Sequence, residues 1–283
     1  MKYARLLTAF YFQAWAIRLD VHRMLGRQLQ DHLAKLPGSR ADLDLGNDCE
    51  EEEEEDRSLP QSSMGVMVIP VHGIIGKHLG LMEMLCGGYD LDTLSRDLDA
   101  ASEDSNIHTV ILDFDSPGGT TIGVREMADK IKALGESKTT IAYTSTQCCS
   151  AAYWLASACN EFYAAPSAIV GSIGVYIAAI DASRAWEQEG FKLKLFRDGA
   201  LKGIGIEGKE WTPEEDAFLQ AMVDRNSKAF KGFVRERRAG VADSTLQGQW
   251  FDGEQAVSLG LVDDTSPELQ NVVTAAMASG MLS

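Results

Sequence analysis

The chain has 283 residues, 45% hydrophobic and 24% charged, an ordinary globular composition that excludes a wholly disordered, collagen-like or disulfide-stapled chain. Its 42 acidic and 26 basic side chains give a formal charge of −16. It therefore lacks the basic footprint needed to wrap nucleic acid or to adhere generally to anionic lipid. The charge is segregated: residues 1–40 hold seven bases and two acids, whereas residues 41–56 hold ten acids and no base. A basic head, an acidic strap and a mildly acidic body imply that head and body do different work.

In the head, Leu7, Phe10, Ala14, Ile17, Val21, Met24, Leu25, Leu29, Leu33 and Leu36 follow a three-four spacing. That spacing predicts one amphipathic helix over residues 1–38, stopped by Pro37-Gly38. Such a helix packs on its own body or a neighbouring subunit, or serves as a partner-binding or membrane-surface arm. Its apolar stretch, residues 6–17, is shorter than the roughly 20 residues a bilayer span needs. No small-residue cleavage site follows, so neither a transmembrane segment nor a secretory signal is expected. Residues 39–63 contain a run of seven acids at 50–56. Mutual repulsion at that density predicts a solvated, disordered linker.

From residue 64 short β runs alternate with helical runs. Strands are predicted over 64–71, 108–114, 139–144, 161–165, 173–178 and 191–196. Helices are predicted over 91–101, 121–134, 151–158, 182–189, 212–238 and 255–259. In the second helix Ile122, Met127, Ile131 and Leu134 are the expected inward residues. The helix at 212–238 opens with Thr212 as N-cap, Pro213 in the first turn and Glu215 closing a capping box, and Gly240 ends it. Repeated β-α units imply an α/β fold whose largely parallel sheet carries helices outside, with ligands at the carboxyl ends of strands. The folded domain is expected over 64–265 and a C-terminal tail over 266–283.

The five cysteines (Cys49, Cys86, Cys148, Cys149, Cys159) are odd in number and lack C-x-x-C spacing. They predict a reducing compartment rather than a disulfide framework. The five histidines show no ligand spacing, so no metal site and no cofactor are expected.

Two predicted strand ends could carry chemistry. Asp115-Ser116-Pro117-Gly118-Gly119 follows the second strand. Its glycines let backbone N–H groups approach a ligand, although a structural turn uses the same residues. Gln147-Cys148-Cys149-Ser150-Ala151 follows the third strand and puts Ser150 at a helix start. There it is either an ordinary N-cap or a nucleophile beside oxyanion-binding N–H groups. All five histidines precede Ser150, which excludes any triad with histidine after serine. A lysine of depressed pKa can replace that base. Lys202, in a glycine-rich loop after the last predicted strand, is the candidate; the plain alternative is a solvated loop lysine.

Asp115-Ser-Pro-Gly-Gly119, Ser150-Ala-Ala-Tyr153, Gly171-Ser-Ile-Gly-Val175, Asp198-Gly-Ala-Leu-Lys202 and Gly253-Glu-Gln-Ala256 with Gly260-Leu-Val-Asp263 occur in that order. In this the chain resembles the signal peptide peptidase A-type serine proteases, peptidase family S49, over roughly residues 64–264. The resemblance implies a ClpP/crotonase-type fold and a Ser–Lys dyad. Ser150 is then the nucleophile and Lys202 the general base. Gly118, Gly119 and the N–H of Ala151 bind oxyanion and substrate, and Ser172 orients the lysine. The family often has Ser-Gly-Gly-Tyr where this chain has Ser-Ala-Ala-Tyr, and the two added methyls are expected to narrow the site. Cys149 is assigned a buried structural role, because the family pattern aligns serine with the reactive position.

The layout, including the Tyr3-Ala-Arg…Phe10 start, resembles the bacteriophage head-maturation branch. The resemblance thus implies a serine endopeptidase acting on a peptide or protein substrate, such as a scaffold or portal protein, in phage or prophage capsid assembly. It also implies a homo-oligomeric ring in the host cytoplasm or at the procapsid. The long helix at 212–238, with Phe218, Met222, Phe230 and Phe233, is either an interface element or plain core. Competing functions are a cellular signal-peptide-peptidase-like protease, a crotonase-like acyl-CoA enzyme and a non-enzymatic assembly protein.

Overall fold

The computed structural model describes residues 15–17, 60–80, 83–84 and 87–280. Its backbone is a parallel β-α succession. β3 (Val66–His72), β6 (Thr109–Asp115), β8 (Thr139–Thr144) and β10 (Glu161–Ala164) lie side by side in chain order, all parallel. β13 (Asp264–Thr265) extends the sheet in parallel beyond β10, and β2 (Gln61–Ser63) closes the other edge antiparallel to β3. The crossovers are α1 (Leu91–Glu103), α2 (Val124–Leu134) and α3 (Ala151–Ala156).

The sequence explains these crossovers. Asp90 caps α1 by accepting from Asp92 N–H, and Leu91, Leu94, Leu98 and Ala101 form its inner stripe. In α2 the inner stripe is Val124, Met127, Ala128, Ile131 and Leu134. Ile122 is exposed rather than inward, because Gly123 at φ 80° delays the start of α2 to Val124. α3 is buried on every side. These helices, with Ile69, Val71, Val110, Leu112 and Phe114 of the sheet, build the main core.

The opposite sheet face carries Val66, Ile111, Ile141 and Tyr143. It is covered by Val272, Val273 and Ala276 of α7 (Leu269–Gly280). Within the expected tail of 266–283, residues 269–280 thus form a packed helix. The expected linker reaches residue 63 in the sequence, but the sheet already begins at Gln61; residues 39–59 lie outside the described residues. The helix expected over 1–38 also lies outside them except at β1 (Trp15–Ile17), which is a strand. Pairing with distant backbone and burial of Trp15 and Ile17 override helical periodicity there.

A short strand follows each of the four long parallel strands. These are β4 (Ile74–Gly76), β7 (Gly118–Thr120), β9 (Gln147–Cys149) and β11 (Ile169–Gly171). They form two accessory sheets, ordered β1-β7-β4-β5 and β12-β11-β9, with β5 (Gly88–Asp90) and β12 (Trp250–Asp252). The strands expected at 173–178 and 191–196 are absent: those residues carry no regular strand beyond a single bridge at Tyr176. α4 (Ser183–Gln188) is present but buries none of its residues.

α5 (Pro213–Arg237) has the capping box expected from Thr212 and Glu215. Only its last turns reach the core, through Phe230, Phe233 and Val234, and Trp154 stacks on Phe230 at 4.7 Å and 4°. Its first half is largely solvated, with Phe218 exposed. α6 (Gly253–Ser258), capped by Asp252, completes the domain. No described helix is long and apolar enough to cross a membrane.

Candidate active site

The accessory strands bring the Gly118, Ser150 and Gly171 motifs together at the carboxyl ends of β6 and β8. A bridge joins Ser116 to Cys148: Ser116 N–H donates to Gln147 O at 3.0 Å, and Cys149 N–H donates to Ser116 O at 3.1 Å. β9 pairs in parallel with β11, placing Cys149 opposite Gly171. Ser150 therefore leaves β9 between the Gly118 turn and the Gly171-Ser172 turn.

Its backbone is unusual. Ser150 has φ 56° and ψ −115°, a conformation that costs a non-glycine residue about 1–3 kcal/mol. Its N–H donates to Gly171 O at 2.7 Å, while its carbonyl starts α3 by accepting from Trp154 N–H at 2.9 Å. The N-cap alternative fails here, because the Ser150 side chain accepts no capping bond. Its hydroxyl instead leans on Gly174 O at 3.5 Å, a long and weak contact. Ser150 is buried, and this strained turn between strand and helix leaves its hydroxyl with one weak acceptor and no capping bond.

Ala151 is the first residue of α3, so its N–H has no carbonyl within the helix to bond. The methyls of Ala151 and Ala152 are fully buried in the main core. They fill packing space, where the sequence suggested a narrowed site. Cys149 is fully buried and directs its thiol toward Ile169 O. Burial pushes the neighbouring Cys148 thiol well up and that of Cys159 up to about 12. Low-pKa thiol chemistry is thus disfavoured at both.

Gly118 and Gly119 lie in a strand as well as a turn. A side chain at Gly119 would put its Cβ 1.9 Å from Ile75 O, so close approach of β4 demands glycine. Gly118, at φ 103°, donates its N–H to Ser116 Oγ at 3.2 Å, and that hydroxyl donates to Gly73 O at 2.6 Å. Ser172 is buried, has φ 53°, and fixes its backbone through a 2.7 Å bond from its N–H to Gln249 O. It adjoins Gly171, which receives the Ser150 N–H.

The profile of Peptidase family S49 matches residues 132–282, more than half of the chain and the stretch that contains Ser150, Ser172 and Lys202. The chain belongs to peptidase family S49. Similar proteins include the head-tail preconnector protein GP5 of Enterobacteria phage P21, 30% identical over 202 residues, covering 71% of this chain. Capsid assembly protease C of Escherichia phage lambda is 26% identical over 202 residues, also covering 71%. The chain spans 40% of the length of the first and 46% of the second. Among solved structures, a ClpP1 mutant of Listeria monocytogenes aligns with a TM-score of 0.47 at 13% identity, covering 72% of this chain and 92% of that one.

In this S49 chain, Lys202 does not meet Ser150. It sits in an exposed turn, its N–H bonded to Gly199 O at 3.1 Å, and its ammonium makes no hydrogen bond or ion pair among the described residues. The flanks of that loop are tied to the start of α5. The fully buried carboxylate of Glu215 accepts from Arg197 Nη1 at 3.2 Å, from Lys209 Nζ and from the Thr212 N–H at 3.1 Å. Arg197 Nη1 also donates to the Lys202 carbonyl at 3.2 Å. Burial pushes the Glu215 carboxyl up, but the bonds from Lys209, Thr212 and Arg197 outweigh it, and its pKa lies below the usual range. From the sequence Glu215 was only a capping residue. Nothing local in Thr-Pro-Glu-Glu signals that two cations converge on it.

Proposed function

We propose that the chain is a serine endopeptidase with a Ser150–Lys202 dyad that acts in phage or prophage capsid assembly. The observation that carries this reading is Ser150: strained, joined to the helix start, and free of the capping bond that an ordinary serine would make there. Membership of S49 and the names of the two phage relatives support the setting.

In this mechanism Ser150 Oγ attacks the peptide carbonyl carbon as the neutral Lys202 amine takes its proton. The carbonyl π electrons move to oxygen. The N–H of Ala151 receives the oxyanion, together with Gly118–Gly119 N–H groups once Gly118 shares or releases Ser116 Oγ. Collapse of the tetrahedral intermediate breaks the C–N bond, and Lys202 returns the proton to the leaving amine. Water, deprotonated by Lys202, then hydrolyses the acyl-Ser150 ester.

The dyad forms when the loop around Lys202 closes over Ser150, or when a neighbouring copy presents its own Lys202. Assembly of copies is favoured by the solvated first half of α5 and by Phe196 and Phe218, exposed at 92% and 41%. The substrate is a protein of the assembling head, such as a scaffold or portal protein. Ser150→Ala and Lys202→Ala should each abolish cleavage of co-expressed head proteins, read by mass spectrometry of the products. Mixing the two inactive variants restores cleavage if Lys202 comes from another copy, and not if its own loop closes. Full activity in either single variant overturns the dyad.

A further inference from the structure

β1 occupies a particular slot. Trp15–Ile17 pairs antiparallel with β7, placing Trp15 opposite Thr120, Ala16 opposite Gly119 and Ile17 opposite Gly118. On its other edge Trp15 exchanges both backbone bonds with Tyr176: its N–H donates to Tyr176 O at 2.9 Å, and Tyr176 N–H donates to Trp15 O at 3.0 Å. Three residues of the head are thus sandwiched as a strand between two segments more than a hundred positions away.

The slot lies beside the nucleophile. Tyr176 lies two residues after Gly174, whose carbonyl receives Ser150 Oγ, so the Trp15–Tyr176 bridge adjoins the segment that contacts Ser150. On the strand's other edge Ile17 faces Gly118, a candidate oxyanion residue. Period-two geometry puts the Trp15 and Ile17 side chains on one face, and both are nearly fully buried. This is recognition by strand addition: main-chain bonds supply affinity, and pockets for alternate side chains supply selectivity.

We propose that the slot between Gly118–Thr120 and Tyr176 is a binding site for extended peptide bearing large apolar residues two positions apart, and that the chain's own Trp15–Ile17 is its resident occupant. Any peptide substrate must displace this segment to pair with the same edges and lie along Ser150. The consequence for catalysis rests on the peptidase reading above; the occupancy and the binding do not.

Binding is tested in the full chain carrying Ser150→Ala, so that cleavage does not interfere. The probe is an acetylated, amidated hexapeptide containing Trp-Ala-Ile. Adding Trp15→Gly and Ile17→Gly should tighten peptide binding at least tenfold. Equal affinity with and without these substitutions, or no binding by either protein, overturns the proposal. If the glycine variant fails to fold, hydrogen exchange in the Ser150→Ala chain decides. The Trp15 amide should exchange slowly, and at least tenfold faster under saturating peptide, while the Tyr176 amide, paired with either occupant, stays slow. Rapid Trp15 exchange without peptide, or slow Trp15 exchange unaffected by it, is the opposing result. With Ser150 intact, the glycine variant should cleave the peptide faster than the wild type. Binding without cleavage by either protein sinks the peptidase reading and leaves the slot assignment standing.

Discussion

Replacing Glu215 with glutamine isolates the clamp that shapes the Lys202 loop. Glutamine keeps the length and an oxygen for the Thr212 N–H, so the capping box can survive, but the charge that holds Arg197 and Lys209 is lost. Breaking a buried ion pair costs about 3–5 kcal/mol when the remaining charge is stranded. Here Lys209 and Arg197 keep 13% and 26% side-chain exposure and can turn to water, so the lower end applies. A cost of about 3 kcal/mol is roughly a hundredfold increase in opening of the loop. Apart from Glu215, α5 buries only Phe230, Phe233 and Val234, all near its far end. The opening should therefore stay local and leave the melting temperature of the domain nearly unchanged.

Hydrogen exchange is the assay. The Lys202 and Asp216 amides, which bond Gly199 O and Thr212 O, should exchange about a hundredfold faster in Glu215→Gln, whereas amides of β6 and β8 should not change. If peptide cleavage is measured, kcat should fall with KM held, because Arg197 also bonds the Lys202 carbonyl. Since the folded pKa of Glu215 is depressed, its contribution is complete above the ordinary glutamate range of about 4.3 and is lost as pH falls through the folded value. Wild-type exchange should thus approach that of Glu215→Gln in acid, and the variant's difference should vanish there. Unchanged exchange at Lys202 in the variant at neutral pH, or collapse of the whole domain, would refute the local-clamp argument.

Other substitutions probe the site and its support. Ser150→Gly removes the proposed nucleophile and the backbone strain together: stability should rise by about 1–2 kcal/mol, or roughly 2–8 °C in melting temperature, with no cleavage. Calorimetry showing a lower melting temperature would contradict the strained assignment. Gly119→Ala drives a methyl into Ile75 O and should cost about 1–3 kcal/mol or more in urea unfolding, by separating β7 from β4. Phe230→Ala removes the ring stacked on Trp154 and should cost about 3–5 kcal/mol in the same assay. A loss below 1 kcal/mol would mean that α5 is not anchored there.

Much of the scaffold was legible because long elements repeat their signal. Leu91, Leu94 and Leu98 mark one helix face over several turns, and Thr212 through Glu215 announce a helix start within four residues. The motif order identified Ser150 as worth attention, but the same residues allowed a plain cap. The short strands β4, β7, β9 and β11 carry no period of their own. Three residues hold a strand only through partners far away in the chain, as Gly119 does with Ile75. The periodicity of the head suggested helix at Trp15–Ile17 for the same reason: it could not see the edges of β7 and Tyr176.

By itself the sequence determined the β-α order, the segregated charge, the capping box and the short list of residues able to attack a carbonyl. These follow from local composition and spacing, which every copy of the chain carries before it folds. The tertiary structure decided what those residues are free to do. It denied Ser150 its capping bond by forcing a positive φ between two distant turns. It left the Lys202 ammonium without a bond among the described residues while Glu215 holds its loop, and it laid Trp15–Ile17 along Gly118–Thr120. Each outcome depends on hydrogen bonds or burial between segments far apart in sequence, and such pairings exist only once the chain has closed on itself.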